Sequence, residues 1–207
     1  MDKEFEAVES SLHNGSQSRL KPEMFKEWRQ GITWKRPREF MGENFSIFDR
    51  YIDPCDIIQG DLGNCYFLSA LSAMAERPDR IKKIFASATT NQSGCYAVNF
   101  CMDGAFTEVL IDDRLPVVKA KGGYKSAFSQ SRGGKEMWVM LLEKAWAKVN
   151  GSYENTITGL PADALRALTG APVDFYAHDY TTDEDLWKVV IEAHRNNHII
   201  CGSSATD

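Results

Sequence analysis

No run of apolar residues in this chain is long enough to cross a bilayer. The first residues, Met1-Asp2-Lys3-Glu4-Phe5-Glu6, lack the basic start and apolar core of a secretory signal. No membrane span is expected, and a cytoplasmic location is. An excess of positive charge is missing too. The formal net charge is -5 and the Lys and Arg residues are scattered, so no nucleic acid partner is expected. Five cysteines, Cys55, Cys65, Cys95, Cys101 and Cys201, are odd in number and show no Cys-x-x-Cys spacing. That argues against a disulfide framework or a zinc site and for reduced thiols. Repeats and low-complexity tracts are absent. What is present is a globular composition, 43% hydrophobic and 26% charged over 207 residues, enough to bury one good core.

The chain is organised around Gln59-Gly60-Asp61-Leu62-Gly63-Asn64-Cys65-Tyr66-Phe67-Leu68. Two glycines and an Asn give way at Cys65 to a stripe of Phe67, Leu68, Leu71, Met74 and Ala75, the spacing of a core-facing helix. Cys65 then falls in the first turn, where unpaired N–H groups and the helix dipole favour a thiolate, the reactive form of the residue. Gly60 and Gly63 allow a tight turn and a close approach by a substrate chain. The Gln59 amide and the Cys65 N–H could converge on a developing oxyanion. Position alone favours a duller reading, in which a cysteine beside Tyr-Phe-Leu is a small core hydrophobe.

Around this segment the elements follow from periodicity and punctuation. Residues 1–31 are polar, with Phe5, Leu12, Leu20, Phe25 and Trp28 as their anchors, and are expected to lie over the surface or fray. A short helix is predicted over Arg80 to Phe85. Alternation from Tyr96 to Met102, an Asp103-Gly104 turn and Ala105 to Ile111 predict a β-hairpin. Lys119 to Gly134, rich in Gly, Lys and Ser, reads as a long exposed loop. Glu136 to Asn150 is the clearest helix, followed by Gly151 as a C′ residue. Pro161 starts a helix that Gly170 stops, and Asp183 is expected to cap another through Asn196. His198 to Ser203 reads as the start of a buried strand.

The letters themselves add more. Gln-Gly-Asp-Leu-Gly-Asn-Cys-Tyr-Phe-Leu-Ser-Ala closely resembles the active-site segment of the calpain family of papain-like cysteine proteases. That family most often has Asp-Cys-Trp where this chain has Asn64-Cys65-Tyr66. An Asn caps a helix about as well as an Asp, and Tyr keeps the aromatic body. Trp34-Lys35-Arg36-Pro37 resembles the entry to the calpain protease core, and Asp112-Asp113-Arg114-Leu115-Pro116 the family's Asp-Asp-x-Leu-Pro. Trp138 to Tyr153 is similar to a second signature, and nearly as specific. The likeness runs from about residue 32 to residue 207. It implies an α+β, papain-like fold: a helical Cys-bearing lobe, with only the start of the second, β-rich lobe.

The same resemblance implies roles. Cys65 would be the nucleophile and Gln59 an oxyanion donor. Calpains bind calcium in this half of the core, and Asp56 and Glu136 stand at the positions of two of its ligands. The backbone ligands would fall around Asp49 to Tyr51. The loop is rich in the oxygens a hard cation needs, although its spacing is not that of an EF-hand. The family's Gly-His-Ala-Tyr and Asn-Pro-Trp segments, which carry the catalytic His and Asn, do not occur in this chain. His194 and His198 lie near the papain-style distance from Cys65 but before the expected strand, so they read as surface residues at a helix end. The implied function is calcium-dependent endoproteolysis of protein substrates through a Cys65 acyl-enzyme, with this chain alone inactive. Regulatory domains or subunits outside the chain would be its further partners. A non-catalytic calpain-like module that binds calcium or a protein is the alternative. A calcium-dependent transglutaminase fits the two signatures less well.

Overall fold

A computed structural model describes residues 2–49 and 51–202 as an α+β arrangement of eight helices and small antiparallel sheets. The helices are α1 Glu9–Leu12, α2 Pro22–Gly31, α3 Pro37–Phe40, α4 Cys65–Ala75, α5 Pro78–Lys82, α6 Trp138–Val149, α7 Pro161–Thr169 and α8 Asp183–Arg195. The strands are β1 Ile32–Lys35, β2 Ile57–Ile58, β3 Cys95–Met102, β4 Ala105–Asp112, β5 Leu115–Ala120, β6 Gly123–Ser126 and β7 Gln130–Ser131. Among the described residues no helix is long and apolar enough to cross a membrane.

Two helices form the centre because both are apolar on more than one face. On α4, Phe67, Leu68, Ala70, Leu71, Met74 and Ala75 are all buried. On α6 burial runs unbroken from Trp138 to Ala147, the charged Glu143 and Lys144 included, so the helix is enclosed on every side over that run. Phe67 stacks flat on Trp146 with ring centroids 5.1 Å apart, which joins the two. Helix α7 touches both α4 and β3 and closes one side of this core.

The β3–β4 hairpin turns at Asp103 and Gly104, both with positive φ, and pairs Met102 with Ala105, as the Asp-Gly signal predicts. Its Tyr96, Val98 and Phe100 face inward.

Three sequence expectations change. Lys119 to Gly134 is not an exposed loop: β5 pairs with both β1 and β6, β2 pairs with β7, and Phe128, Ser129 and Ser131 are buried. Polar residues are tolerated there because their backbone is hydrogen-bonded. Thr182, not Asp183, caps α8, its hydroxyl accepting from the Asp185 N–H at 3.2 Å. Residues 199–202 form no strand, since no described strand lies alongside to pair with them, and Ser203 lies outside the described residues. Ile199 and Cys201 instead pack against the core.

The N-terminal segment lies over the surface but is firmly docked. Phe5, Leu12 and Trp28 are buried with Phe128 and Tyr153 in a second apolar cluster. Asp2 accepts from Lys148 Nζ at 2.9 Å, and the Tyr153 N–H donates to the Ser11 carbonyl.

Candidate active site

Cys65 is the first residue of α4, and its side chain is exposed while its neighbours Asn64 and Tyr66 are buried. The Asn64 carbonyl accepts the first helical bonds, from the N–H groups of Phe67 and Leu68, which leaves the Cys65 N–H ahead of the ladder. Gln59 follows β2 directly and is also exposed. Both ends of the Gln59–Cys65 loop are therefore anchored by regular structure, with two polar side chains left facing outward.

Each part of that loop is pinned. A Cβ on Gly60 would stand 2.3 Å from the Phe128 carbonyl oxygen, so only glycine fits against that backbone. Gly63 has a φ of 73°, a left-handed turn that delivers the chain to the helix, and its carbonyl accepts from Thr158 N–H. Behind Cys65, the Tyr66 hydroxyl accepts from Trp146 Nε1 at 2.9 Å, and burial raises its pKa. Asn64 does not cap α4 with its side chain as the sequence suggests. Its Nδ2 turns inward and donates to Glu143 Oε1 at 2.8 Å. Sequence reasoning missed Glu143 as a partner of this loop; the available signal was a charged pair, Glu143-Lys144, in the middle of an otherwise apolar helix.

Lys144 Nζ lies in a fully buried pocket and donates to Asp112 Oδ1 at 2.6 Å and to the Asp112 and Arg114 carbonyls. Burial pushes the Lys144 pKa down against the opposing pull of Asp112. Burial pushes Asp112 up, but Lys144 and backbone N–H groups outweigh it and hold the carboxyl below its ordinary range. This ion pair fastens α6 to the end of β4.

The two candidate calcium ligands are near enough for the charge of Asp56 to act on Glu136. Glu136 is buried, its Oε1 accepting from the Asp49 N–H at 2.5 Å, and its pKa is raised by burial and then by the charges of Asp56 and Asp49. A buried carboxylate crowded by other acids is the chemistry that a hard cation relieves. These donors fit calcium in kind. Among the described residues, however, no three Asp, Glu, His or Cys side chains converge on one point, so carbonyl oxygens would have to complete the set. Arg50, within the expected backbone-ligand stretch, lies outside the described residues.

The histidines stand elsewhere. His13 is buried against Phe25 and 3.2 Å from Glu9, His178 is 3.7 Å from Asp183, and His194 and His198 are exposed at the end of α8. Among the described residues none hydrogen-bonds Cys65.

An exposed cysteine at the head of a central helix, with a glutamine on the same pinned loop, is an arrangement that a cysteine nucleophile could use. Comparison with known proteins makes this specific. The family described as calpain family cysteine protease matches residues 1–207, and the chain belongs to it. It is 41% identical over 142 residues to the calpain-type cysteine protease DEK1 of Arabidopsis thaliana, a match covering 66% of this chain and 6% of that protein. It is 35% identical over 182 residues to the calpain-1 catalytic subunit of Mus musculus, covering 86% of this chain and 24% of the relative. Against calpain-14 of Homo sapiens it is 34% identical over 202 residues, covering 96% and 28%. The chain thus spans well under a third of the length of these relatives.

Proposed function

We propose that this chain is the Cys-bearing lobe of a papain-like, calcium-dependent endopeptidase acting on proteins in the cytoplasm. The Cys65 thiolate would attack a peptide carbonyl, Gln59 and the Cys65 N–H would hold the oxyanion, and hydrolysis of the acyl-enzyme would complete the cycle. One observation carries this reading: Cys65 is exposed at the first position of α4, on a loop held in place at Gly60, Gly63 and Asn64. The base and its orienting partner have no candidate here, so the chain alone turns over little or no peptide. The test is a fluorogenic peptide substrate with calcium present. No product is expected, and a burst that disappears in Cys65→Ser would contradict the inactivity.

Calcium is held in this reading by Asp56 and Glu136, with carbonyl oxygens of the Asp49 to Tyr51 stretch; bound there, it would neutralise the buried acids. Calorimetry with millimolar calcium tests it, and heat that is unchanged in Asp56→Ala counts against the site. A non-catalytic calpain-like module is the second reading, favoured by the lack of a histidine bonded to Cys65 among the described residues.

A further inference from the structure

The residue before the candidate nucleophile is tied to a buried carboxylate that also holds the far side of the same loop. Glu143 is 2% exposed. Its Oε1 accepts from Asn64 Nδ2 at 2.8 Å and its Oε2 from the Ser129 N–H at 3.1 Å. Ser129 belongs to the bend between β6 and β7, where Phe128 closes over Gly60 and Gln130 pairs with Ile58, the residue just before Gln59. One side chain on α6 therefore holds one end of the Gln59–Cys65 loop directly and, through Ser129, the bend that packs against the other.

We infer that Glu143 is a positioning residue for Cys65, a clamp on Asn64 and Ser129 that sets where the nucleophile sits relative to Gln59. This rests on reading Cys65 as the nucleophile. The clamp differs from the family's usual Asp-Cys arrangement, since an Asp at position 64 would offer Glu143 a second carboxylate instead of an amide donor.

Facing the carboxyl are Asn64 at the start of α4, Ser129 from the bend, and the buried Tyr153 hydroxyl, whose pKa is raised by burial and by Glu143. Lys144, next on α6, is turned to Asp112. With no cation beside it, the Glu143 carboxyl is raised by burial to about 7. One buried atom next to it, Asn64 Oδ1, lacks a hydrogen-bond partner. It gives the neutral acid somewhere to donate: when Glu143 takes a proton from solvent, the Asn64 amide can turn over and accept it at Oδ1. The clamp thus has two hydrogen-bonded forms that exchange near neutral pH, beside Cys65.

The test is a pH titration of backbone and side-chain amide resonances in the isotopically labelled chain, its Glu143→Gln variant and Cys65→Ser. The Asn64 side chain, the Ser129 N–H and the Cys65 N–H should share one midpoint near pH 7. Glu143→Gln should abolish it and leave all three at their low-pH positions, because Gln mimics the neutral acid. Cys65→Ser should keep it at position 65, which separates the clamp from titration of the thiol. Titration of Asn64 and Ser129 without position 65, or no shared titration at all, overturns the inference. If Glu143→Gln does not fold, the wild-type and Cys65→Ser titrations decide alone. A shared midpoint together with Cys65 alkylation no faster than a free thiol would leave the clamp standing and sink the nucleophile reading instead.

Discussion

The Trp146 indole N–H donates to the Tyr66 hydroxyl at 2.9 Å, tying the residue after Cys65 to α6. Where the family most often places a Trp, this chain has a phenol, and the phenol gives a buried donor its acceptor. Tyr66→Phe keeps the ring and removes only that oxygen. It should cost about 1–3 kcal/mol of folding stability, the penalty for orphaning a buried N–H. Chemical denaturation of the two proteins measures it, and equal stabilities would show that water replaces the phenol.

Gly60→Ala should cost at least about 2 kcal/mol and disturb the loop that carries Gln59, because a methyl cannot occupy space 2.3 Å from a backbone carbonyl. Gly133, where a Cβ would meet nothing and φ is not left-handed, is a control for the glycine-to-alanine change without the clash. Thermal melts of Gly60→Ala and Gly133→Ala isolate the cost of the steric overlap.

Lys144→Ala should be among the most damaging single substitutions, at about 3–5 kcal/mol, because it leaves the buried Asp112 carboxylate without its cation. Lys144→Ala with Asp112→Asn should recover part of the loss, since the remaining group is then neutral. Denaturant midpoints for the single and double variants provide the check.

Glu143 also makes stability depend on pH. Burial raises its pKa from 4.5 to about 7, so the folded chain keeps a proton that the unfolded chain has already released. Its contribution is complete below the unfolded value and is lost as pH rises through the folded one. Relative to Glu143→Gln, the wild type should lose on the order of 3 kcal/mol between those limits. Urea unfolding at a series of pH values reads this directly, and a flat difference would mean that the acid is not buried in solution.

Much of the fold around Cys65 is legible because local signals agree with global packing. The apolar stripe after Cys65, the Asp103-Gly104 turn and the apolar stripe of α6 each specify an element without outside help. Lys119 to Gly134 was misread because glycines and lysines describe its solvent side only. Nothing local announces that Phe128 covers Gly60, or that the Ser129 N–H is satisfied by a carboxylate on α6. The inward turn of Asn64 was hidden for the same reason, since a capping residue and a buried amide donor share one letter. Thr182 was overlooked because Asp183 is an equally good cap by type, and only the hydrogen bond to Asp185 distinguishes them.

The proposed role of Cys65 turns on the reactivity of its thiol, and the chain supplies its own references in the exposed Cys55 and Cys95. Iodoacetamide labelling at neutral pH, followed peptide by peptide by mass spectrometry, gives a rate for each. Cys65 should be alkylated faster than both exposed references. Labelling of Cys65 at their rate or more slowly would contradict its assignment as the nucleophile.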